Sequence, residues 1–270
     1  MELKIKMSVI KSAFFFTILF FMLIQNSSAQ EAFQKKVFHS SDNDSLLYNI
    51  LYPNSFLSEE SKFEKHPLVV FLHGSGERGS DNEIQIMHIK DLFQNQASRK
   101  KHPAFVIAPQ CPKGERWVDV KWDKEKHIMP VNPSESMQLT MDLIDSLVKK
   151  YPIDINRIYI TGLSMGGFGT WDAIARYPDT FAAAVPICGG GDESTAELIK
   201  NIPIWAFHGA DDKVVKVERS RNMVNAIKKV GGSPTYTEYK GVGHGSWIPA
   251  YEETELLKWL FMQSKKQENN

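Results

Sequence analysis

The stretch YITGLSMGGFGTW, residues 159–171, sets one serine among four glycines directly after an apolar run. Ser164 lies in the pattern Gly-Leu-Ser-Met-Gly, between a predicted strand at 157–162 and a predicted helix at 164–177. A sharp strand-to-helix turn of this kind, a nucleophile elbow, strains the backbone and exposes the serine hydroxyl at the edge of a sheet. The residues two before and two after the serine must be small, because helix and strand pass close to them. The stretch therefore predicts that Ser164 is a nucleophile.

Other glycine-rich motifs fit this stretch less well. A phosphate-binding P-loop needs a lysine directly before its serine or threonine, and this chain has none there. A dinucleotide-binding fingerprint needs a third glycine where this chain has Asp172. A glycine-rich turn with an unreactive serine stays open from the five-residue pattern alone, because that pattern also occurs by chance. The rest of the chain has to decide between a nucleophile and an unreactive serine.

Eight apolar runs bounded by turn residues follow one another along the chain. The first two are joined by the turn-rich SSDNDS, which is typical of a hairpin. From the third onward the runs are continuously apolar and alternate with helical patterns, as expected of parallel strands buried on both faces. We predict an α/β fold with about eight strands, mostly parallel after an antiparallel start, and helices on both faces. The strands are expected at 35–39, 46–52, 67–74, 104–110, 157–162, 181–188, 203–209 and 235–241, and the helices near 84–93, 134–149, 164–177, 216–230 and 251–263.

A nucleophilic serine in such a sheet needs an acid and a histidine, which follow it along the chain in that order. Asp211 and Asp212 come just after the seventh apolar run, and His244, flanked by glycines, comes just after the eighth. Both places are carboxyl ends of predicted strands, at the same edge as Ser164. Adjacent aspartates point in different directions, so only one can face His244. Because the chain needs room to turn back after the strand, we predict the catalytic set Ser164, Asp212 and His244.

An ester carbonyl attacked by serine also needs backbone N–H donors for the developing oxyanion. One donor is expected from the residue after the nucleophile, Met165. The other is expected from the loop after the third strand, where the chain reads FLHGSGERG at 71–79. We predict that the amide of Ser75 is this second donor, with Gly76 as the next choice.

At this point the chain resembles the α/β-hydrolases, and among them the bacterial esterases related to feruloyl, acetylxylan and phospholipase/carboxylesterase-type enzymes. The resemblance implies the hydrolase sheet and Ser–Asp–His chemistry. In such hydrolases the acid is the third residue after the glycine of a His-Gly pair, which is Asp212 here. The chain departs from the pattern at Lys216, where a proline is usual at the start of a helix. The segments that carry the resemblance are LHGSGERGSDN, APQCP, TGLSMGGFGTWDAIARYPDTFAAAVPICGGGD, HGADDKVV and GHGSW.

The first 29 residues have the composition of a secretory signal peptide. Three lysines precede the apolar core AFFFTILFFMLI at 13–24, and small residues follow at 27–29. A membrane anchor is the alternative, but a spanning helix needs about 20 apolar residues. We predict cleavage near residue 29, a catalytic domain at 30–270, and a secreted or periplasmic location. The mature chain would have 31 acidic and 29 basic residues, because the leader removes one glutamate and three lysines.

Two cysteines could form a disulfide in an exported protein. Cys111 and Cys188 each follow a predicted strand, and in the hydrolase sheet those strands lie three positions apart. Three positions span about 14 Å, whereas the Cα atoms of a disulfide lie within roughly 7 Å of each other. We therefore predict two free thiols.

Histidines and tryptophans raise two further questions. The eight histidines show no spacing typical of a metal site, so no metal is expected, and His73 and His208 are interpreted as structural residues. Trp247, Trp117 and Trp122 are candidates for substrate binding by stacking. The alternative for Trp117 and Trp122 is that they cover apolar surface beneath loops.

The sequence thus predicts a secreted serine carboxyl-ester hydrolase that works through an acyl-enzyme and needs no cofactor. Its expected partner is a small-molecule or carbohydrate ester, with short acyl or aromatic groups such as those on polysaccharides. No basic excess indicates nucleic acid, and no membrane association is expected after signal cleavage. The oligomeric state stays open. A serine peptidase related to the prolyl oligopeptidases is one alternative, although about 240 mature residues leave no room for their extra domain. A non-catalytic binding module is the other.

Overall fold

The structure is a computed structural model, and it describes residues 32–57 and 63–265. The signal peptide predicted at 1–29 lies outside the described residues. Within them, the helices are too short or too polar to cross a membrane.

Eight strands of the described chain form one sheet, in the order β1-β2-β4-β3-β5-β6-β7-β8. The pairs β1–β2 and β2–β4 are antiparallel, and the remaining neighbours are parallel. The predicted fold class, including its antiparallel start, is confirmed. The strands are β1 Gln34–His39, β2 Ser45–Leu51, β3 His66–Leu72, β4 Phe105–Pro109, β5 Ile153–Leu163, β6 Ala183–Ile187, β7 Trp205–Gly209 and β8 Thr235–Tyr239.

Helices follow the predicted places, but two of them are broken. The pattern at 84–93 becomes a 3₁₀ turn at Ile84–Ile86 and a short helix at Lys90–Gln94. The next helix, Gln96–Lys101, was not predicted, and it begins where the Asn95 side chain accepts two backbone N–H groups. The pattern at 251–263 is interrupted at Glu253, whose backbone is extended. The helices are α1 Lys90–Gln94, α2 Gln96–Lys101, α3 Glu135–Lys150, α4 Met165–Arg176, α5 Ala196–Ile199, α6 Glu218–Lys229, α7 Trp247–Glu252 and α8 Leu256–Phe261, with 3₁₀ turns at Asn54–Leu57, Ser75–Glu77, Ile84–Ile86 and Glu193–Thr195.

Apolar side chains fill both faces of the sheet. Along β3, Leu68 and Val70 belong to one buried cluster and Val69 and Phe71 to the other, as the alternation of a strand requires. Helices α3, α4 and α6 contribute to the first cluster, and α1, α7 and α8 to the second. This packing fixes β3, β5, β6, β7 and β8 as parallel neighbours, so that the loops after them meet at one edge.

The turn between β5 and α4 is held by close backbone contacts. A Cβ atom on Gly166 would lie 1.9 Å from the carbonyl oxygen of Leu72, and one on Gly167 would lie 2.3 Å from that of Ile187. A Cβ on Gly162 would lie 2.4 Å from the carbonyl oxygen of Gly166. Ser164 itself has a φ of 53° and donates its N–H to the Ile187 carbonyl. The predicted need for small residues around a strained serine is confirmed.

The loop that leaves β3 is fastened by His73, which is fully buried. Its Nε2 accepts the backbone N–H of Cys111 at 2.9 Å, so its proton is on Nδ1, which lies 2.6 Å from the Gly74 carbonyl oxygen. The His73 carbonyl accepts the indole N–H of Trp117 at 2.9 Å. Burial lowers the pKa of His73 to about 4, which keeps this ring neutral. One residue thus ties the β3 loop to the chain after β4.

Both cysteines are buried and free. Cys111 follows β4 and Cys188 follows β6, and the sheet order places those strands three positions apart. This agrees with the predicted pair of unbridged thiols.

Substitution of Gly166 by alanine should destabilise the fold severely, because the added methyl group meets the backbone of Leu72 rather than a movable side chain. We expect a loss of at least about 3 kcal/mol in the free energy of unfolding, or no folded protein. Gly76→Ala is the matched control, since a Cβ there meets nothing within 4 Å. Its effect should stay under about 1 kcal/mol. Urea unfolding of both variants checks this, and equal stabilities would contradict it.

Acidification should destabilise the protein partly through His73. Its folded pKa of about 4 lies below the ordinary value of 6.5, so between these pH values the unfolded chain binds the proton more tightly. Stability from this residue is present above pH 6.5 and is lost as the pH falls towards 4. Between pH 7 and pH 5 the wild type should lose about 2 kcal/mol more than His73→Gln.

The measurement is urea unfolding of both proteins at the two pH values. A His39→Asn variant, changed at an exposed position of β1, provides the control. A His73→Gln protein that loses as much stability as the wild type would contradict the prediction.

Candidate active site

Ser164, His244 and Asp212 form a continuous chain of hydrogen bonds at the carboxyl edge of the sheet. Ser164 Oγ lies 2.9 Å from His244 Nε2, and His244 Nδ1 lies 2.7 Å from Asp212 Oδ2. Ser164 follows β5, Asp212 follows β7 and His244 follows β8. The three residues are brought together because their strands are parallel and share one edge.

The Asp212 carboxylate is buried yet ionised. Burial acts to raise its pKa, but hydrogen bonds from His208, His244 and the amides of Val215 and Val214 outweigh it and hold the pKa far below its ordinary value. Because an ionised carboxylate only accepts, the proton of the facing His244 nitrogen must be on Nδ1. Nε2 then carries the lone pair, and it can accept the hydroxyl proton of Ser164. The site is set up for general-base chemistry.

The neighbouring Asp211 has a different environment. Its side chain is exposed, and its backbone N–H is donated to the Val242 carbonyl at 3.0 Å. The Asp212 side chain is fully buried and faces His244. Of the two adjacent aspartates, the geometry brings only Asp212 to the histidine.

The two amides that are predicted to be oxyanion donors both lie at the start of a helical turn. Met165 is the first residue of α4, and Ser75 is the first residue of a 3₁₀ turn capped by Gly74. The first amides of a helix have no partner within it and remain available to a ligand. A Cβ on Gly74 would lie 2.8 Å from Leu163 Cδ1, so the Ser75 loop packs directly against the residue before Ser164. Arg78 Nε donates to the Ser75 carbonyl at 2.9 Å and holds this turn.

Trp247 and Trp122 are partly exposed. The Trp247 ring meets the His244 ring edge-on with ring centres 5.5 Å apart, and it also contacts the His88 ring, with ring centres 5.4 Å apart. His88 Nε2 lies 3.4 Å from a carboxylate oxygen of Glu77, on the β3 loop. Trp122 packs against the apolar cluster of Val118, Val120, Phe168 and Val215, with the Arg116 guanidinium 4.7 Å from its ring centre. Trp247 is therefore the predicted aromatic residue nearest the histidine.

Trp117 was expected to be a candidate for substrate stacking, and this is wrong. Its side chain is fully buried, and its Cβ atom lies under Gly169 of α4. Its indole N–H is used by the His73 carbonyl. A ring enclosed on this side of α4 presents no face to a substrate. Trp117 instead holds the loop that carries Ser75.

Two residues near the acid were not identified as site residues from the sequence. Cys188, which has a φ of 40°, follows β6, the neighbour of β5, and His208 Nε2 lies 3.2 Å from Asp212 Oδ2. The ligand atoms of Cys188, Asp212 and His244 lie within 4.8 Å of one another. However, burial raises the pKa of Cys188 to about 12, and a protonated thiol is a poor metal ligand. The sequence offered one indication of both residues: each lies at the carboxyl end of a predicted strand, at the same edge of the sheet as Ser164.

Comparison with protein families identifies one match. The model of the phospholipase/carboxylesterase family matches residues 54–253. These residues span the sheet from the end of β2 to α7 and include the whole hydrogen-bonded chain of Ser164, His244 and Asp212.

Curated relatives carry esterase names. A probable carboxylesterase SOBER1-like protein of Arabidopsis thaliana is 28% identical over 207 residues, covering 71% of this chain and 77% of the relative. A bifunctional acetylxylan esterase/xylanase of Neocallimastix patriciarum is 26% identical, covering 64% of this chain and 23% of its own length.

Solved structures agree with these relatives. The crystal structure of a thermostable esterase is 44% identical with a TM-score of 0.79, covering 87% of this chain and 64% of that one. The chain thus spans less than two thirds of that esterase. A ferulic acid esterase at 19% identity and a TM-score of 0.62 shares the fold. The chain therefore belongs to the phospholipase/carboxylesterase family and is a carboxylesterase-type hydrolase of the α/β-hydrolase fold.

Proposed function

We propose that this enzyme hydrolyses carboxylic esters through a covalent acyl-enzyme on Ser164. The observation that carries the proposal is the hydrogen-bonded chain from the Ser164 hydroxyl through His244 to Asp212. As Ser164 Oγ attacks the ester carbonyl, His244 Nε2 takes its proton, and the Met165 and Ser75 amides stabilise the oxyanion.

The same groups then complete acylation and carry out deacylation. The tetrahedral intermediate collapses, the C–O bond to the alcohol breaks, and His244 gives the alcohol its proton. Water then attacks the acyl carbon as it gives a proton to His244, and a second tetrahedral intermediate forms. Its collapse breaks the bond between the acyl carbon and Ser164 Oγ, His244 returns the proton to Oγ, and the acid is released. The buried negative charge of Asp212 stabilises the imidazolium that forms in each half.

The proposed substrates are esters with a short acyl or aromatic group, such as those attached to polysaccharides. Relatives named acetylxylan esterase and feruloyl esterase B support this class. The partly exposed Trp247 ring beside His244 offers a surface for a sugar or an aromatic acid. Trp122 also remains a candidate for stacking on the substrate, because its ring is partly exposed. It is a weaker candidate than Trp247, whose ring contacts His244.

The location proposed for the enzyme is outside the cytoplasm. Residues 1–29 would act as a cleaved signal peptide before a catalytic domain at 30–270. One of the relatives is an uncharacterized secreted protein of Arthroderma benhamiae, 27% identical over 243 residues. Edman sequencing of the exported protein tests this, and an uncleaved N-terminus would count against it.

Ser164→Ala should remain folded and lose nearly all ester hydrolysis, on the order of 10⁶-fold in kcat as for the serine of another triad. It should also lose labelling by a fluorophosphonate probe. The assay panel contains p-nitrophenyl acetate, acetylated xylan, methyl ferulate and aminoacyl amides. Faster turnover of the amides would favour a peptidase, and an unlabelled wild type would favour a non-catalytic module. Near-normal hydrolysis by folded Ser164→Ala would end the proposal.

The two adjacent aspartates should behave differently. Asp212→Asn leaves the imidazole in the wrong tautomer and should lower kcat by about 10⁴-fold, as in a serine protease triad. Asp211→Asn, at an exposed position, should stay near the wild-type rate. Steady-state kinetics on both purified variants make the comparison. The reverse order of activities would pass the role of the acid to Asp211.

A further inference from the structure

The proposed catalytic steps leave one buried imidazole beside the acid without a role. His208 is fully buried near the end of β7, in direct contact with the Asp212 carboxylate. Its two ring nitrogens face different partners. Nε2 lies 3.2 Å from Asp212 Oδ2 and 3.0 Å from the Val215 carbonyl oxygen, and Nδ1 lies 2.7 Å from Ser220 Oγ.

The partners determine where His208 carries a proton. Nε2 faces two oxygens that can only accept, since the Asp212 carboxylate is ionised and the other is a carbonyl. A bare nitrogen there would be repelled by both, so Nε2 must carry a hydrogen. Ser220 Oγ can donate to Nδ1, or accept from it while donating to the Gly189 carbonyl at 3.2 Å. Either arrangement leaves an N–H on Nε2, which is hydrogen-bonded to the Val215 carbonyl and also lies 3.2 Å from Asp212 Oδ2, so that the two oxygens share this donor.

Asp212 is therefore held at both oxygens. Oδ1 accepts the amides of Val214 and Val215 at 2.8 and 2.9 Å, and Oδ2 faces both imidazoles, with His244 Nδ1 hydrogen-bonded at 2.7 Å and His208 Nε2 at a longer 3.2 Å. Because the Asp212 side chain is fully buried, no water can replace a lost donor without opening the site. The two amides hold Oδ1. His208 stays beside Oδ2 while His244 takes up and returns the proton of Ser164.

We propose that His208 is a positioning residue for the acid, whose Nε2–H holds Asp212 Oδ2 at the angle that His244 needs. This inference rests on the proposed function, because the orientation of Asp212 matters to the rate only if His244 is the base. The competing explanation is purely structural: His208 would only join β7 to Ser220 on α6. The two explanations differ in which ring nitrogen a substituted side chain must mimic to preserve kcat: Nε2 for the positioning role, and Nδ1 for the structural role.

Three substitutions separate them. In His208→Gln the side-chain amide reaches the place of Nε2 and can still donate to Asp212. In His208→Asn the shorter amide reaches only the place of Nδ1, beside Ser220. His208→Leu keeps a similar volume and removes both contacts. We expect Asn and Leu to lower kcat by about 10–100-fold, with KM changed less than about threefold, and Gln to stay within about fivefold of the wild type.

A double substitution tests whether the effect passes through the acid. In an Asp212→Asn background, His208→Asn should change kcat by less than about twofold, because the oxygen that it positions no longer serves the histidine. His66→Leu is the control for loss of a buried histidine, since it lies at the opposite edge of the sheet against Ser55. It should lower the melting temperature while leaving kcat unchanged.

The outcomes are distinguishable. Wild-type protein with neither esterase activity nor probe labelling at Ser164 would overturn the proposed function itself. An active wild type with folded Asn and Gln variants of equal kcat would overturn only the role of His208. An equal loss of kcat in the presence and absence of the Asp212 carboxylate would do the same. If His208→Leu does not fold, the comparison of Asn with Gln still decides.

Discussion

The arrangement of the active site depends on one close approach, between the first turn of α4 and the exits of β3 and β6. Backbone carbonyls of Leu72 and Ile187 occupy the space that side chains at Gly166 and Gly167 would need. This contact drives Ser164 to a φ of 53° and lifts its hydroxyl above the sheet edge. The loop after β3 packs in turn against Leu163, the residue before Ser164. The proposed nucleophile and the proposed oxyanion loop thus both depend on close packing between backbone segments.

Around this turn the charges follow from burial. A carboxylate removed from water is costly unless every lone pair is met. The chain solves this for Asp212 with two amides and two imidazoles, so that the carboxylate stays ionised. His73 shows the opposite solution: both ring nitrogens are used in a neutral state, and burial holds its pKa at about 4. The buried Asp212 is thus kept charged beside His244, whereas the buried His73 is kept neutral and holds the loop after β3.

The sequence predicted the fold and the positions of Ser164, Asp212 and His244 because each depends on order along the chain. In a parallel sheet, strand order decides which loops share an edge, and apolar runs reveal the strands. The sequence left Trp117 open between stacking on a substrate and lying beneath loops, because the loop that carries it has no periodicity that would separate a buried ring from an exposed one. The structure shows the buried position. The contact of His208 with Asp212 depends on how the turn after β7 folds back. The helix that begins after Asn95 and the break at Glu253 likewise arise from local backbone conformations that an apolar pattern does not reveal.

The hydrogen bonds of the site join residues far apart in sequence: Ser164 and His244 are separated by 80 positions, and His73 and Trp117 by 44. Bringing such distant segments together costs loop-closure entropy before any of these contacts forms. A fragment that contains Ser75, Ser164 and His244 must span at least residues 75–244, which is most of the sheet. Ester hydrolysis during refolding would consequently report the last stage of assembly, after the strands have paired in their final order.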